Sequence, residues 1–135
     1  MGLFAGAPYD YATVVPEGAR LVFAAGACPL DEAGTVVAPG DYEGQTRAAL
    51  ANLETALQAA GSSFEQVVKM TVYVASPDRA DLVRAWRVVE DAFSPARPPS
   101  TLLGVAALGY PGQLVEIEAV GLARSDEIGD AAGRT

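Results

Sequence analysis

Val67-Val68-Lys69-Met70-Thr71-Val72-Tyr73-Val74-Ala75 alternates at the period of a β-strand. Val68, Met70, Val72 and Val74 fall on one face, and Lys69, Thr71 and Tyr73 fall on the other. An apolar strand face needs a cover, and the chain has a helical pattern on either side of this segment. Upstream, Asp41 is placed as an N-cap, Glu43 sits in the first turn where the helix dipole favours an acid, and Leu50, Leu53, Leu57 and Ala60 recur at helical spacing. Gly61 ends that helix as a glycine past the last turn does. Downstream, Ser76-Pro77-Asp78 opens a second helix whose Leu82, Val83, Trp86, Val89, Ala92 and Phe93 make an apolar stripe, ending near Ser94-Pro95.

Further out, Arg20–Gly26 (RLVFAAG) reads as a strand leaving into a turn-rich loop. Thr101–Leu108 and Leu114–Ala123 read as two more strands, and the Gly109-Tyr110-Pro111-Gly112 turn between them predicts an antiparallel hairpin. The element order predicts an α+β sandwich, one mostly antiparallel sheet with two helices on one face. Residues 1–123 form one domain in this reading, and the polar, Gly/Ala-rich residues 124–135 form a frayed tail. The uncovered sheet face carries Leu114 and Val120 beside Glu116 and Glu118. It is too apolar for water and too charged for a sealed core, so self-association around it is expected.

The 135 residues suit one domain, and 50% hydrophobic with 19% charged residues is enough for a packed core. Nine Lys and Arg against 17 Asp and Glu leave a net charge of −8 with no basic run, which argues against a nucleic-acid partner. A single cysteine, Cys28, excludes an internal disulfide. The lack of histidine removes the commonest zinc ligand and the usual base for a serine or cysteine nucleophile, so neither a metal nor Ser–His chemistry is expected. The N-terminal residues carry no basic region followed by an apolar one, and no apolar run approaches the roughly 20 residues that span a bilayer. A soluble, cytoplasmic protein without a membrane partner is the expectation.

Glu116 and Glu118 are two apart on a strand, hence on one face, with side-chain origins about 7 Å apart. Such carboxylates can divide acid and base roles, or they can accept backbone amides or pair with Lys69 on a neighbouring strand. Arg97 is braked by Pro95 before it and by Pro98-Pro99 after it, and reads either as a fixed anion receptor or as a surface arginine in an extended connection. Cys28, just past a strand, is a nucleophile if something lowers its pKa and a small buried hydrophobe otherwise. Tyr9 and Tyr11 either cap a pocket or anchor the N-terminal segment. Trp86 belongs to the helix stripe as core or interface, and Gln45 and Asn52, seven apart on one helix face, are expected to bond loop backbone.

GAPY near the start, FAAGACPLD, GQTRAALANLETALQAAG, VVKMTVYVASPD, FSPARP and LVEIEAV, in that order over roughly residues 6–123, resemble the YjgF/RidA family, formerly called L-PSP endoribonucleases. The resemblance implies a chorismate-mutase-like fold and a homotrimer whose sheets line a central β-barrel, with clefts at the subunit interfaces. It also implies cofactor-free hydrolysis of reactive imines or enamines to a carbonyl compound and ammonia. In the family an arginine at the start of the penultimate strand grips the substrate carboxylate, a glutamate of EIEA positions water, and an N-terminal tyrosine lines the cleft. Glu116 and Tyr9 match the last two. Ungapped alignment through Gly104-Val105-Ala106-Ala107-Leu108 puts Ser100 in the arginine's place and Arg97 three residues earlier, about 10 Å of extended chain. A gapped alignment through Pro95-Ala96-Arg97 seats Arg97 there but breaks the strand alternation, and the ungapped one is favoured. Trp86 falls where an asparagine is common. The expected site is therefore Glu116 as the catalytic residue, with Tyr9, Cys28, Trp86, Arg97, Ser100 and Thr101 around a small imine, enamine or carbonyl ligand. The alternative is a small-molecule-binding trimer without the deaminase chemistry.

Overall fold

The computed structural model describes residues 2–124. In chain order it contains β1 (Leu21–Phe23), α1 (Tyr42–Ala59), a 3₁₀ turn (Phe64–Gln66), β2 (Val67–Val74), α2 (Arg79–Phe93), β3 (Ser100–Gly104) and β4 (Val115–Leu122). Most of the tail expected over 124–135 lies outside the described residues. Both helices begin where a short acidic side chain satisfies a first-turn amide: Asp41 accepts from the Gly44 N–H and Asp78 from the Ala80 N–H, each at 2.9 Å. α1 gives way at Gly61, whose φ of +88° suits a glycine.

The four strands form one mixed sheet in the order β1-β4-β2-β3. β4 is antiparallel to both β1 and β2, whereas β3 runs parallel to β2. The expected hairpin of the last two strands is not formed, because β2 lies between them. The reason is α2, which returns the chain to the end of the sheet where β2 began, so that β3 adds to β2 in parallel. Residues 105–114 then cross back to bring β4 to the far side of β2.

Alternation decides what each strand buries. Val72, Val74, Val115 and Ile117 are fully buried under the helices with Leu53, Leu57 and Val89, and the Phe64 and Phe93 rings stack at 4.3 Å. The apolar face of β2 differs from the reading at one position: a register shift between Val67 and Lys69 buries Val67 and leaves Val68 half-buried. β1 is shorter than Arg20–Gly26, although Ala24 and Ala27 still bond to Ala119 and Ile117 of β4. On the side away from the helices stand Leu21 and Phe23 of β1, Glu116, Glu118 and Val120 of β4, Tyr73 of β2 and Leu103 of β3. Leu21, Phe23 and Leu103 are exposed there.

Two amides on α1, Gln45 buried and Asn52 exposed, hold loops to this frame, as their spacing suggested. Asn52 donates to the Cys28 and Leu30 carbonyls at 2.8 and 3.0 Å. Gln45, fully buried, donates to the Ala38 and Gly112 carbonyls and accepts from the Leu114 N–H at 2.8 Å, fixing the entry to β4. Leucine at position 45 fills similar space but strands three backbone groups, each lost partner costing about 1 kcal/mol or more. Urea unfolding at fixed protein concentration should show Gln45→Leu less stable by about 2–3 kcal/mol, and an unchanged midpoint would contradict this role.

Candidate functional site

With Val115 and Ile117 turned inward, Glu116 projects from the open sheet face, opposite Tyr73 on β2. Its Oε1 accepts two hydrogen bonds, from Cys28 Sγ at 3.3 Å and from Gln113 Nε2 at 3.1 Å. Its other oxygen lies over Gly26, and a Cβ built on that glycine would collide with Oε2. The ladder between the β1 segment and β4 lapses around this point and resumes at Ala27, so Gly26 leaves a recess that the carboxylate fills. Oε2 has no hydrogen-bond partner among the described residues.

Cys28 is neither of its two expected forms. It is half-buried and polar in use, its thiol directed to the Glu116 carboxylate and at 3.6 Å to the Gly26 carbonyl. Burial pushes the thiol pKa up, and the hydrogen bond to Glu116 and that residue's charge push it further, against a smaller opposing effect of Gln113. The thiol is thus kept protonated as a donor, the reverse of an activated nucleophile.

Glu118 has a different environment, and the pairing with Lys69 that was one reading of these glutamates is not formed. Tyr73 donates to Glu118 Oε1 at 2.6 Å, and Lys69 Nζ instead donates to Thr101 Oγ1 at 2.9 Å. That short bond to a carboxylate raises the Tyr73 hydroxyl above its ordinary pKa, with desolvation a smaller cause. The two glutamates therefore differ: Glu118 is tied to a phenol, and Glu116 leaves one oxygen open.

A cleft of about 490 Å³ opens on the other side of β2, at the β3 edge of the sheet, and is lined by Pro8, Tyr9, Trp86, Ser100, Thr101 and Leu102. Four of the sequence-predicted residues meet here. None of these lining residues is charged, although the Lys69 ammonium stands 2.9 Å from the Thr101 hydroxyl. Arg97 is directed elsewhere, its Nη2 donating to the Ala7 carbonyl while its own carbonyl accepts from the Asp10 N–H at 2.8 Å. It clamps the N-terminal segment that carries Tyr9, and Tyr9 meets Tyr11 edge to face at 5.7 Å. Glu116 and Cys28 are not in the cleft, because two strand spacings, about 10 Å, separate β4 from β3.

Gln113 is the polar residue that sequence reading passed over. It is buried, it ends the Gly109–Gly112 turn, and it stands three residues before Glu116, which was the signal available. Among the described residues no group of three or more His, Cys, Asp or Glu side chains could hold a metal ion, and no helix is long and apolar enough to cross a membrane.

Fold and site together define a small α+β protein with a donor-held carboxylate on an open sheet face and a hydroxyl-lined cleft at the sheet edge. The family model described as Endoribonuclease L-PSP matches residues 4–123, and the chain belongs to that family, the YjgF/RidA proteins. A RutC family protein of Pyrococcus horikoshii is 33% identical over 113 residues, 84% of this chain and 85% of that protein. The 2-iminobutanoate/2-iminopropanoate deaminase of Bos taurus is 34% identical over 113 residues, 84% of this chain and 78% of the enzyme. The crystal structure of YyfB, a conserved Rid-family protein of Yersinia pestis, superposes with a TM-score of 0.80 at 29% identity, covering 89% of this chain and 92% of that one.

The thiol offers a direct check on the cluster. Alkylation of Cys28 by iodoacetamide should show a pH midpoint above the ordinary thiol value of 9.0. Glu116→Gln removes a charge that disfavours the thiolate, so its midpoint should fall; identical profiles would show that thiol and carboxylate do not meet.

Proposed function

We propose that the protein is a RidA-like deaminase that hydrolyses small imines or enamines, and that its working site forms where the cleft of one copy meets the Glu116 face of another. The observation that carries this reading is the Glu116 carboxylate, held by two donors with Oε2 open, on a sheet face too apolar to remain in water. The deaminases among the relatives, at about 34% identity, support the reaction type. Separation of cleft and carboxylate within one chain supports assembly, and the proposed assembly is a homotrimer with the sheets around a central barrel, acting in the cytoplasm.

In this reading Glu116 Oε2 takes one proton of the water whose oxygen adds to the carbon of a protonated C=N, giving a neutral carbinolamine. The carboxyl returns that proton to nitrogen and takes the hydroxyl proton as the C–N bond breaks, then passes it to the departing ammonia, so a protonated imine and water become a ketone or aldehyde and ammonium. Tyr9 and Trp86 wall the substrate, and Ser100 and Thr101 supply hydroxyls. Ser100 gives its proton to the Pro98 carbonyl at 2.7 Å and remains an acceptor, while Thr101 accepts from Lys69 and keeps its own proton to donate. With Arg97 tied to Ala7, the cleft lacks a guanidinium of its own, and the cation set beside it is the Lys69 ammonium on Thr101, a point charge in place of a bidentate fork, which weakens the preference for 2-imino acids. The missing guanidinium is also what favours the second reading, a trimer that binds a small molecule without turning it over.

Ammonia release from freshly generated 2-iminobutanoate and from an uncharged imine of similar size separates these readings. Wild type should exceed the buffer rate on at least one of them, Glu116→Ala should lose about 100-fold or more in kcat, and Arg97→Ala should not raise KM selectively for the charged substrate. Sedimentation should give a three-chain species. Wild type equal to buffer on both imines would leave the binding reading, and a single-chain species would remove the shared site.

A further inference from the structure

We infer that Gln113 is a positioning residue for Glu116, fixing Oε1 so that Oε2 alone meets the reacting water. The assignment rests on the deaminase reading of the site and adds a residue and an oxygen to it.

The amide is held so that its orientation is determined. Gln113 Oε1 accepts from the Tyr110 N–H at 3.1 Å, and Nε2 donates to the Val115 carbonyl and to Glu116 Oε1, both at 3.1 Å. Rotating the amide by half a turn would set its oxygen against a carbonyl and a carboxylate and its NH₂ against an N–H. The side chain is 4% exposed, so no water can stand in for these partners. Its backbone is fixed in turn, since the Gln113 N–H donates to the Tyr110 carbonyl at 3.0 Å and buried Gln45 grips Gly112 and Leu114 on either side.

This rigidity reaches the carboxylate. A glutamate on an open strand face has three side-chain torsions, and an extended backbone leaves more than one rotamer open to it. Gln113 and Cys28 converge on the same oxygen, and the recess over Gly26 takes the other side of the group. Cys28 has a second acceptor in the Gly26 carbonyl and shares one proton between two partners. Gln113 has two amide protons for its two acceptors and is the constant donor.

The test uses the full-length oligomer and four proteins beside wild type: Gln113→Leu, Gln113→Glu, Glu116→Gln and the double variant Gln113→Leu/Glu116→Gln. Gln113→Glu keeps the acceptor for the Tyr110 N–H and loses the donor, so it separates bracing of the turn from placement of Glu116. Both Gln113 variants should lower kcat about 10- to 100-fold with KM within about twofold of wild type. Gln113→Leu should have no further effect once Glu116 is Gln, since positioning acts only through that carboxylate. Gln113 variants at wild-type kcat while Glu116→Gln is impaired would overturn the proposal and leave the deaminase reading intact, as would a full additive loss in the double variant. Wild type inert towards imines would defeat the deaminase reading. In that case the crystal structure of Gln113→Leu still decides: a Glu116 carboxylate displaced from Gly26 and Cys28 supports the positioning role, and one left in place overturns it.

Discussion

Val115, Ile117 and Ala119 have to lie beneath the helices, and that requirement turns Glu116 and Glu118 to the opposite face of the sheet. Moving β4 by one residue would put two carboxylates into a core that already holds Leu53, Leu57, Val72 and Val74, where an unpaired charge costs several kcal/mol. The register is therefore set by apolar packing, and the acids are placed as its consequence. β2 completes the arrangement by standing between β4 and β3, which puts Glu116 on one side and the Tyr9–Trp86–Ser100 cleft on the other.

Polar bonds refine what packing places. Gln45 on α1 fixes the turn before β4, the turn carries Gln113, and Gln113 reaches Glu116, so a buried amide on a helix is linked through one loop to a carboxylate on the far side of the sheet. From the other direction Asn52 holds the Cys28 and Leu30 carbonyls, which brings the Cys28 thiol to the same oxygen. Both α1 amides thus serve the site without touching it. Arg97 has a comparable supporting place, since its bond to the Ala7 carbonyl holds the segment in which Pro8 and Tyr9 line the cleft.

What was legible in the sequence was local. Asp41 and Asp78 cap helices through amides two or three residues away, and period alone finds the Leu50, Leu53 and Leu57 stripe of α1. In α2 it finds buried Val89 and Phe93, but Val83 and Ala92 are exposed and buried Ala85 is missed. The pairing of β3 with β2 was misread because Gly109-Tyr110-Pro111-Gly112 has hairpin chemistry, whereas the α2 crossover decides the partner. That Glu116 and Glu118 share the open face was legible from their spacing in LVEIEAV, whereas the choice of Glu116 between them came from the family resemblance. The meeting of Cys28 and Glu116 joins positions 88 residues apart, and no spacing rule reaches that far. Gln113 was hidden for a different reason: a single glutamine after a Pro-Gly turn has no periodic partner, and its importance comes from burial. Arg97 was visible as a restrained arginine, but its direction depended on where the N-terminal segment returns.

A subunit-mixing assay tests the central claim, that the cleft of one copy and Glu116 of another make one site. Glu116→Ala lacks the carboxylate, and Ser100→Trp fills the cleft, so each variant alone should be inactive towards imines. Unfolding and refolding them together should restore activity, because some interfaces then join an intact cleft to an intact Glu116. Mixtures that stay as inactive as either variant alone, while wild type carried through the same refolding recovers its rate, would contradict the account.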